Sequence, residues 1–548
     1  MAESQRITKL LKRWQDLRSG LGTWPQHWED LSRVMLTRRI GFITDSVAGD
    51  RRMDEIYDGT AMQAARGLAN VMGSMLRPEG EPWFFLRTAD EADSKSGEAK
   101  DWLSNTERIL REAFDDPRAR FRQTTGETDL DLVVLGTAIK CVTEVVGAGH
   151  LMFQSVWLND AIPFFNDYGV AEGLFRIRRL TLAQAKDHME NDGWDLSKQL
   201  RDKILAGKLD EKVQFLYAVT PNPEGREDAF LAKNLPISEL IIEPDTKQLV
   251  AESGFHEFPY VVSRWDTSSG ETYGRSPGMV ALPDANTSQA IAQTMLVAGQ
   301  RAADPPLLAP SDAFLDAPNT FPGALATYEA EAVKDLGANP IRPLDGGANF
   351  PLTRDIQQDT RDQIQQAFYR NIFNLPVEGP QMTATEVIQR REEFIREIGP
   401  VFGRLETDDT APMVERAFRL FLRGERFGPV PETLQNKNVV FEYESPVKKI
   451  REQTQAQATV QWAKTLLEFE VAKPGASDVV NMEEMGRFTG IAAAVPHNIM
   501  HSEEVVAQVG EARVQAQQEA IQMEQAQQAS VVAKNVDGPA QELAKATQ

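Results

Sequence analysis

The stretch that decides the fold is Pro351 to Arg404, PLTRDIQQDTRDQIQQAFYRNIFNLPVEGPQMTATEVIQRREEFIREIGPVFGR. It reads as a long amphipathic helix, a short Pro/Gly loop and a second long helix. Leu352, Ile356, Ile364, Phe368 and Ile372 recur about every four residues, which predicts one shared helix face. The other faces are crowded with Gln, Asp and Arg. Asn374-Leu375-Pro376-Val377-Glu378-Gly379-Pro380 cannot continue a helix, because two prolines and a glycine break it. Thr383-Ala384-Thr385-Glu386 then has capping-box spacing, and Val387, Ile388, Phe394, Ile395 and Ile398 resume the apolar stripe. A helix of roughly 22 residues is about 33 Å long. One narrow apolar stripe on such a rod suits packing against copies of itself. It equally suits a helical hairpin in an ordinary globular core.

Upstream of this stretch, Pro277, Pro283 and Asp284 predict a helix from about Ala285 to Arg301. Residues 304–350 are rich in Pro, Gly and Ala and separate the two helices. Strand signals dominate residues 136–265: TAIKCVTEVV, MFQSVW, LFRIRRL, VQFLYAVTP, ELIIEP, QLVAESGF and YVVSRW, with one helical segment, TLAQAKDHMENDG, among them. Hairpin-length gaps leave no room for repeated crossovers, so this region is expected to be antiparallel α+β. The opening MAESQRITKLLKRWQDL has no signal-peptide core and reads as an amphipathic helix. Pro25 is expected to start a second helix, with Trp28 and Leu31 inward. Asp58-Gly59-Thr60 opens a helix of small residues that Pro78 stops, and Trp83, Phe84 and Phe85 follow as an apolar anchor. Residues 98–135 read as helix. Downstream, PMVERAFRLFLRG is helical, and VVFEYESP is a lone strand expected to rejoin the earlier sheet. Residues 448–470 and 481–548 are mostly helical, the last part rich in Gln and Ala. The fold class is thus α+β, predominantly helical.

At 548 residues there is chain for roughly three or four domains. Apolar residues make up 41%, enough for real cores. The formal net charge of −22 argues against a protein that grips nucleic acid broadly, although local basic groups can act on an acidic body. A single cysteine, Cys141, excludes an intramolecular disulfide framework and any multi-cysteine metal site. No apolar run reaches the ~18 residues of a membrane span, so no stable membrane association is expected.

Catalytic motifs are scarce. Gly207-Lys208 is followed by Leu209, so there is no Walker A loop. His497 and His501 share i,i+4 spacing without the Glu of a zinc-protease helix. Gly274-Arg275-Ser276-Pro277-Gly278 satisfies G-x-S-x-G, which raises a serine hydrolase as one alternative. The residue after the serine must lend a backbone N–H to the oxyanion hole, and Pro277 has none. A turn leading into a helix is the better reading. No catalytic residue, cofactor or metal is expected.

Taken in order, several segments resemble the head-to-tail connector (portal) family of short-tailed, podovirus-type phages. They are Asp58-Gly59-Thr60 with its small-residue helix, LRPEGEPWFFL ending at Phe85–Leu86, FPYVVSRWDTSSGETYGRSPG at Phe258 to Gly278, and MTATEV at Met382 to Val387. The resemblance runs over most of the chain, and the order and spacing carry it more than any one motif. It implies a ring, usually of twelve subunits, at one capsid vertex, through which double-stranded DNA is packaged and ejected. It implies a wing at 1–275, stem helices at 276–303 and 351–374, and a clip at 304–350 that docks terminase and tail or adaptor proteins. A tunnel loop would span 375–381, a long helix returning to the wing 382–455, and a helical crown or barrel 456–548. Capsid and scaffold proteins are further implied partners. DNA-facing candidates are Arg354, Arg361, Arg370, Arg390, Asn374 and Gln381, with the loop residues Leu375, Pro376, Val377, Glu378, Gly379 and Pro380. The arginines have a competing use, pairing with nearby acids such as Asp355, Asp359, Asp362 or Glu386. A helical adaptor that forms no ring is the other non-enzymatic alternative.

Overall fold

The structure, a computed structural model, describes residues 2–39, 41–43, 53–88, 97–145, 149–303, 307–308, 342–343, 350–370, 396–435, 439–443, 446–472, 479–492, 505–506 and 508–523. The chain divides into two units, Met1–Ser445 and Pro446–Gln548.

The amphipathic opening forms α1 (Ala2–Ser19), with Ile7 and Leu11 buried. Pro25 lies in the first turn of α2 (Trp24–Met35), where no intrahelical partner awaits its missing N–H. Trp28 and Leu31 point inward as expected. The small-residue helix is α3 (Thr60–Leu76), and Ala61, Ala64, Ala65 and Leu68 are buried. A Cβ added to Gly73 would sit 2.8 Å from Asp129 Oδ2, so the helices here approach closely. After Pro78 the apolar anchor is itself a strand, β1 (Phe84–Thr88). The single helix expected over 98–135 is two, α4 (Gly97–Asp115) and α5 (Phe121–Leu135). Pro117 cannot extend the first, and Arg120 turns the chain with φ +56° before the second.

Gly136 ends α5 at φ +80° and leads directly into β2 (Thr137–Glu144). A Cβ there would lie 2.2 Å from the Gly274 carbonyl oxygen, so the site requires glycine. β2 is the centre of a three-stranded sheet between β3 (Leu151–Val156) and β9 (Tyr260–Arg264). A five-stranded meander follows in chain order: β4 (Ala161–Phe165), β5 (Ala171–Thr181), β6 (Lys212–Pro221), β7 (Ile237–Glu243) and β8 (Gln248–Phe255). Every pairing in both sheets is antiparallel, as the hairpin spacing predicts. The capping box Thr181/Gln184 starts α6 (Leu182–Asn191), and Ser197 caps α7 (Lys198–Leu205). Strand alternation divides the core. Phe215 and Tyr217 of β6 face α6 and α7 with Trp194, whereas Leu216 and Ala218 face Ile7 and Leu11 of α1. β4 escapes the sequence reading because AIPFF contains Pro163. Its edge position explains why a residue without an N–H is tolerated there.

The first long helix, α8 (Pro277–Ala303), starts eight residues earlier than predicted. Pro283 lies within it and cannot donate the hydrogen bond that a residue-283 N–H would have made. Residues 304–306, 309–341 and 344–349 are outside the described residues; Leu307–Leu308 (β10) and Arg342–Pro343 (β11) pair with each other. The second long helix is α9 (Phe350–Ala367). It stops short of residue 374, where the implied stem helix ends, and Tyr369 has φ +56°. Residues 396–405 are helical, Glu406–Thr410 is a π-turn, and α10 (Ala411–Arg423) continues. The expected return helix over 382–455 is therefore interrupted. VVFEY forms β12 (Val439–Tyr443), which does not rejoin the larger sheets. It pairs with β1, Leu86 opposite Phe441, because both are held on the same aromatic cluster of Trp83, Phe84, Phe114, Phe121, Phe153 and Phe418. The unit Pro446–Gln548 begins with α11 (Pro446–Ala472), followed by α12 (Met482–Ala492) and helical residues 508–523.

Candidate channel-facing helices and their charged anchor

α8 and α9 pack side by side. The buried face of α9 is Gln357, Thr360 and Ile364, continued by Phe368 just past its end. Leu352 and Ile356, expected on that same face, are 56% and 47% exposed. The reason is geometric. A repeat of four residues drifts about 40° per step against a helix of 3.6 residues per turn, so a stripe read at period four winds off the buried face.

Of the DNA-facing candidates, Arg354 is exposed on α9, and Arg370 is half-buried beyond its end. Arg361 is engaged within the chain: its Nε donates to Asp58 Oδ2 at 2.8 Å. Arg390, Asn374, Gln381 and the loop residues 375–380 lie outside the described residues. The pairing considered for Arg361 with acids on its own helix is replaced by one 303 residues away in sequence.

The Asp58 turn gathers three helices. Ser288 Oγ on α8 donates to Asp58 Oδ2 at 2.5 Å, and the Thr60 amide and hydroxyl at the start of α3 donate to Oδ1 at 2.9 and 2.6 Å. Gln289 of α8 clamps the same turn: its Oε1 accepts from the Tyr57 and Asp58 amides, and its Nε2 donates to the Asp58 carbonyl. Burial alone would raise the Asp58 carboxyl; the donors from Ser288, Thr60 and Arg361 outweigh it and hold it at about 2.

A second charged node lies under the π-turn. Asp409 Oδ1 is 2.6 Å from the Lys140 ammonium on β2, close but off the hydrogen-bond direction, and it accepts from Ser263 Oγ on β9. Asp409 Oδ2 accepts from Arg77 Nη1 at 3.0 Å. Arg77, at the end of α3, also grips Asp129 of α5 at 2.6 Å. All four charged side chains are buried. Two cations meet two carboxylates, so formal charge balances. Burial pushes the Asp129 carboxyl above its ordinary range despite Arg77 and Lys140. For Asp409 burial also acts upward, and Lys140 and Arg77 together bring it below. Neighbouring Asp408 is bound by Arg264 at 3.2 Å. Sequence reasoning missed this node. The available signal was Pro412: inside a helical run it denies the Asp408 carbonyl its i+4 donor, which favours a widened turn.

Ser276 is a helix cap. Its hydroxyl donates to the Val134 carbonyl at 2.7 Å and accepts from the Met279 amide at 3.1 Å, and the residue is buried. It is thus spent on starting α8, as the turn reading holds. His497 and His501 lie outside the described residues. Four arginines close in sequence, Arg38, Arg39, Arg51 and Arg52, form no basic patch that the structure describes: Arg39 pairs with Glu127 and Asp131 at 3.4 and 3.3 Å, and Arg51 and Arg52 are not among the described residues. Among the described residues, no helix is long and apolar enough to cross a membrane.

Comparison with known proteins places the chain. It is 28% identical over 462 residues to a probable portal protein of Bordetella phage BPP-1, covering 81% of this chain and 80% of that protein. It is 26% identical over 519 residues to a portal protein of Salmonella phage epsilon15, covering 92% and 90%. A chain in the solved structure described as the neck of an empty GTA particle, computed with C6 symmetry, aligns over 81% of this chain and 94% of that one. Identity there is 9% and the TM-score 0.36. The family described as bacteriophage head to tail connecting protein matches residues 7–500, nearly the whole chain. This chain therefore belongs to the bacteriophage head to tail connecting protein family.

Proposed function

We propose that the protein is a portal subunit: a structural, non-catalytic component of a closed ring at the capsid vertex, through which double-stranded DNA is packaged and later ejected. The ring serves as the docking site for terminase and for tail or adaptor proteins, meets capsid and scaffold proteins at its rim, and is assembled in the host cytoplasm.

One observation carries the reading beyond family membership. The two long helices α8 and α9 are pinned at the Asp58 turn by a buried carboxylate, yet keep Val280, Leu296, Leu352 and Ile356 open to water. Rods fixed so firmly within one chain, with apolar side chains left at the surface, suit packing against copies of themselves. The acidic whole, at −22 per chain, suits a conduit that duplex DNA slides through without being held, with Arg354, Arg370 and Arg390 as sparse centring charges. Arg361 contributes there only through the part of its guanidinium that Asp58 leaves exposed.

The test is electron microscopy and native mass spectrometry of the full chain, with and without scaffold and capsid protein. Rings are expected. Deleting Leu375 to Pro380 is expected to leave rings intact and to impair DNA packaging or retention. Persistent monomers under all these conditions would remove the ring reading. Normal packaging by the deletion variant would remove the tunnel-loop assignment.

A further inference from the structure

The connection between β6 and β7 is a braced loop with a fully exposed aromatic at its crest. Its ends are tied by the Asn222 amide donating to the Pro236 carbonyl (2.7 Å) and the Arg226 amide donating to the Asn234 carbonyl (2.8 Å). Gly225 lies against the Leu235 carbonyl and Gly254 of β8 against the Ala232 carbonyl, both too close for a Cβ, so the loop is pressed onto the β8 edge. On this rigid support Phe230 is 100% exposed and Leu231 50%. Just before them stand Glu227 and Asp228, both exposed.

The opposite edge carries a receptor for such a knob. A cavity of about 440 Å³ is lined by Phe165, Val170, Phe258, Tyr260, Pro412 and Arg419. Val170 is 61% exposed, and Tyr168, on the same turn, is 92% exposed. The turn is held open by Asn166, whose Oδ1 accepts from the Tyr168 and Val170 amides, and by Arg264 Nη2 on the Gly169 carbonyl. Arg419 is the most exposed of three arginines gathered on Glu257, and Asp408 and Glu415 also line the cavity. Arg419 is 54% exposed and stands 4.0 Å from Glu257, a carboxylate already bound by Arg416 at 2.6 Å and by Arg423.

Topology puts knob and cavity at one level. The pairings Phe165 with Ala171, Leu174 with Val219 and Pro221 with Ile237 set the β4–β5 turn and the β6–β7 loop at the same end of the meander. Strand order β4-β5-β6-β7-β8 separates the two edges by four strand spacings, roughly 19 Å. A knob on one edge and a complementary hole on the other make a head-to-tail contact, the kind that closes into rings.

We propose that Phe230 and Leu231 of one copy seat in the Phe165–Tyr260–Pro412 cavity of the next copy, with Glu227 and Asp228 paired to that copy's Arg419. The occupant is thus a second copy of this chain, chosen by acid-flanked apolar side chains meeting a mostly apolar cavity with a half-exposed arginine at its mouth, one of three arginines gathered on Glu257. The proposal rests on the ring reading above and names one contact that would hold it.

The experiment uses the full chain and compares wild type with Phe230→Asp, Asp228→Arg, Arg419→Asp and the Asp228→Arg/Arg419→Asp pair. Phe230 touches little in its own chain, so the thermal transition of Phe230→Asp is expected to match wild type while its ring fraction falls about tenfold or more. Each single charge reversal is expected to weaken assembly, and the pair to recover it. Phe230→Cys with Val170→Cys is expected to cross-link neighbouring copies within rings. Wild-type rings with undiminished Phe230→Asp rings, and no cross-link, overturn this contact and leave the ring reading standing. Failure of the charge pair to recover assembly overturns the Arg419 pairing. Absence of rings from the wild type itself overturns both.

Discussion

Asp58 shows how much one carboxylate can organise. It opens α3, ties α8 through Ser288 and ties α9 through Arg361. Its folded-state pKa of about 2 lies below the ordinary value of about 3.9. A depressed acid stabilises the fold fully above its unfolded pKa, and that contribution is lost as pH falls through the folded value. Asp58→Asn is therefore expected to lower the urea midpoint clearly at pH 6. The gap from wild type is expected to close between about pH 4 and pH 2. A gap that stayed constant over this range would mean the charge on Asp58 is not what holds the turn. Cys141, by contrast, is buried beside Tyr260 on β2, and burial pushes its thiol up to about 11, so its role is packing.

At the scale of elements, the π-turn Glu406–Thr410 is the least regular piece of the described helices, and two causes act on it. Pro412 withholds a donor from the ordinary helical ladder. Asp409, meanwhile, is drawn inward by Lys140, Arg77 and Ser263. Tightening the turn to a regular α-helix would rotate Asp409 by about 100° relative to the preceding helix, away from those partners. Asp409→Ala strands two buried cations with one carboxylate and is expected to cost about 3–5 kcal/mol. Pro412→Ala alone is expected to be nearly neutral, because the ion pairs still hold the wide turn. Combined, the two are expected to cost less than their sum, since the helix is then free to regularise. Strict additivity in urea unfolding would leave Pro412 and Asp409 uncoupled. α9 carries the parallel lesson for apolar patterns. Its period-four stripe is legible in the chain, but only the part reaching Ile364 and Phe368 is turned onto α8 and its neighbours.

For the whole molecule, charge and family membership point the same way. In the proposed ring, a net −22 per chain would repel a duplex over most of its surface. Purified rings are expected to bind duplex DNA no more tightly than about 10⁻⁴–10⁻⁶ M at physiological salt, the range of purely electrostatic contacts. Arg354→Glu is expected to change packaging efficiency without changing ring assembly, because Arg354 is exposed and makes no ion pair among the described residues. Nanomolar retention of linear duplex by intact rings, measured by filter binding, would count against a sliding conduit.

By itself the amino-acid sequence determined what is local. Four of the five meander strands, the helical segment that begins at Thr181 and the turn role of Ser276 were all legible along the chain. The connector resemblance was equally legible, because the order of segments survives where each is weak. Tertiary structure alone decided which partners meet. Arg361 finds Asp58, Arg77 finds Asp129 and Asp409, and β12 finds β1 rather than the larger sheets. Periodicity is a property of neighbours along the chain. A buried charge or an unpaired strand edge instead takes whichever partner the packing brings within reach, because leaving it unsatisfied away from water costs more than any local preference can recover.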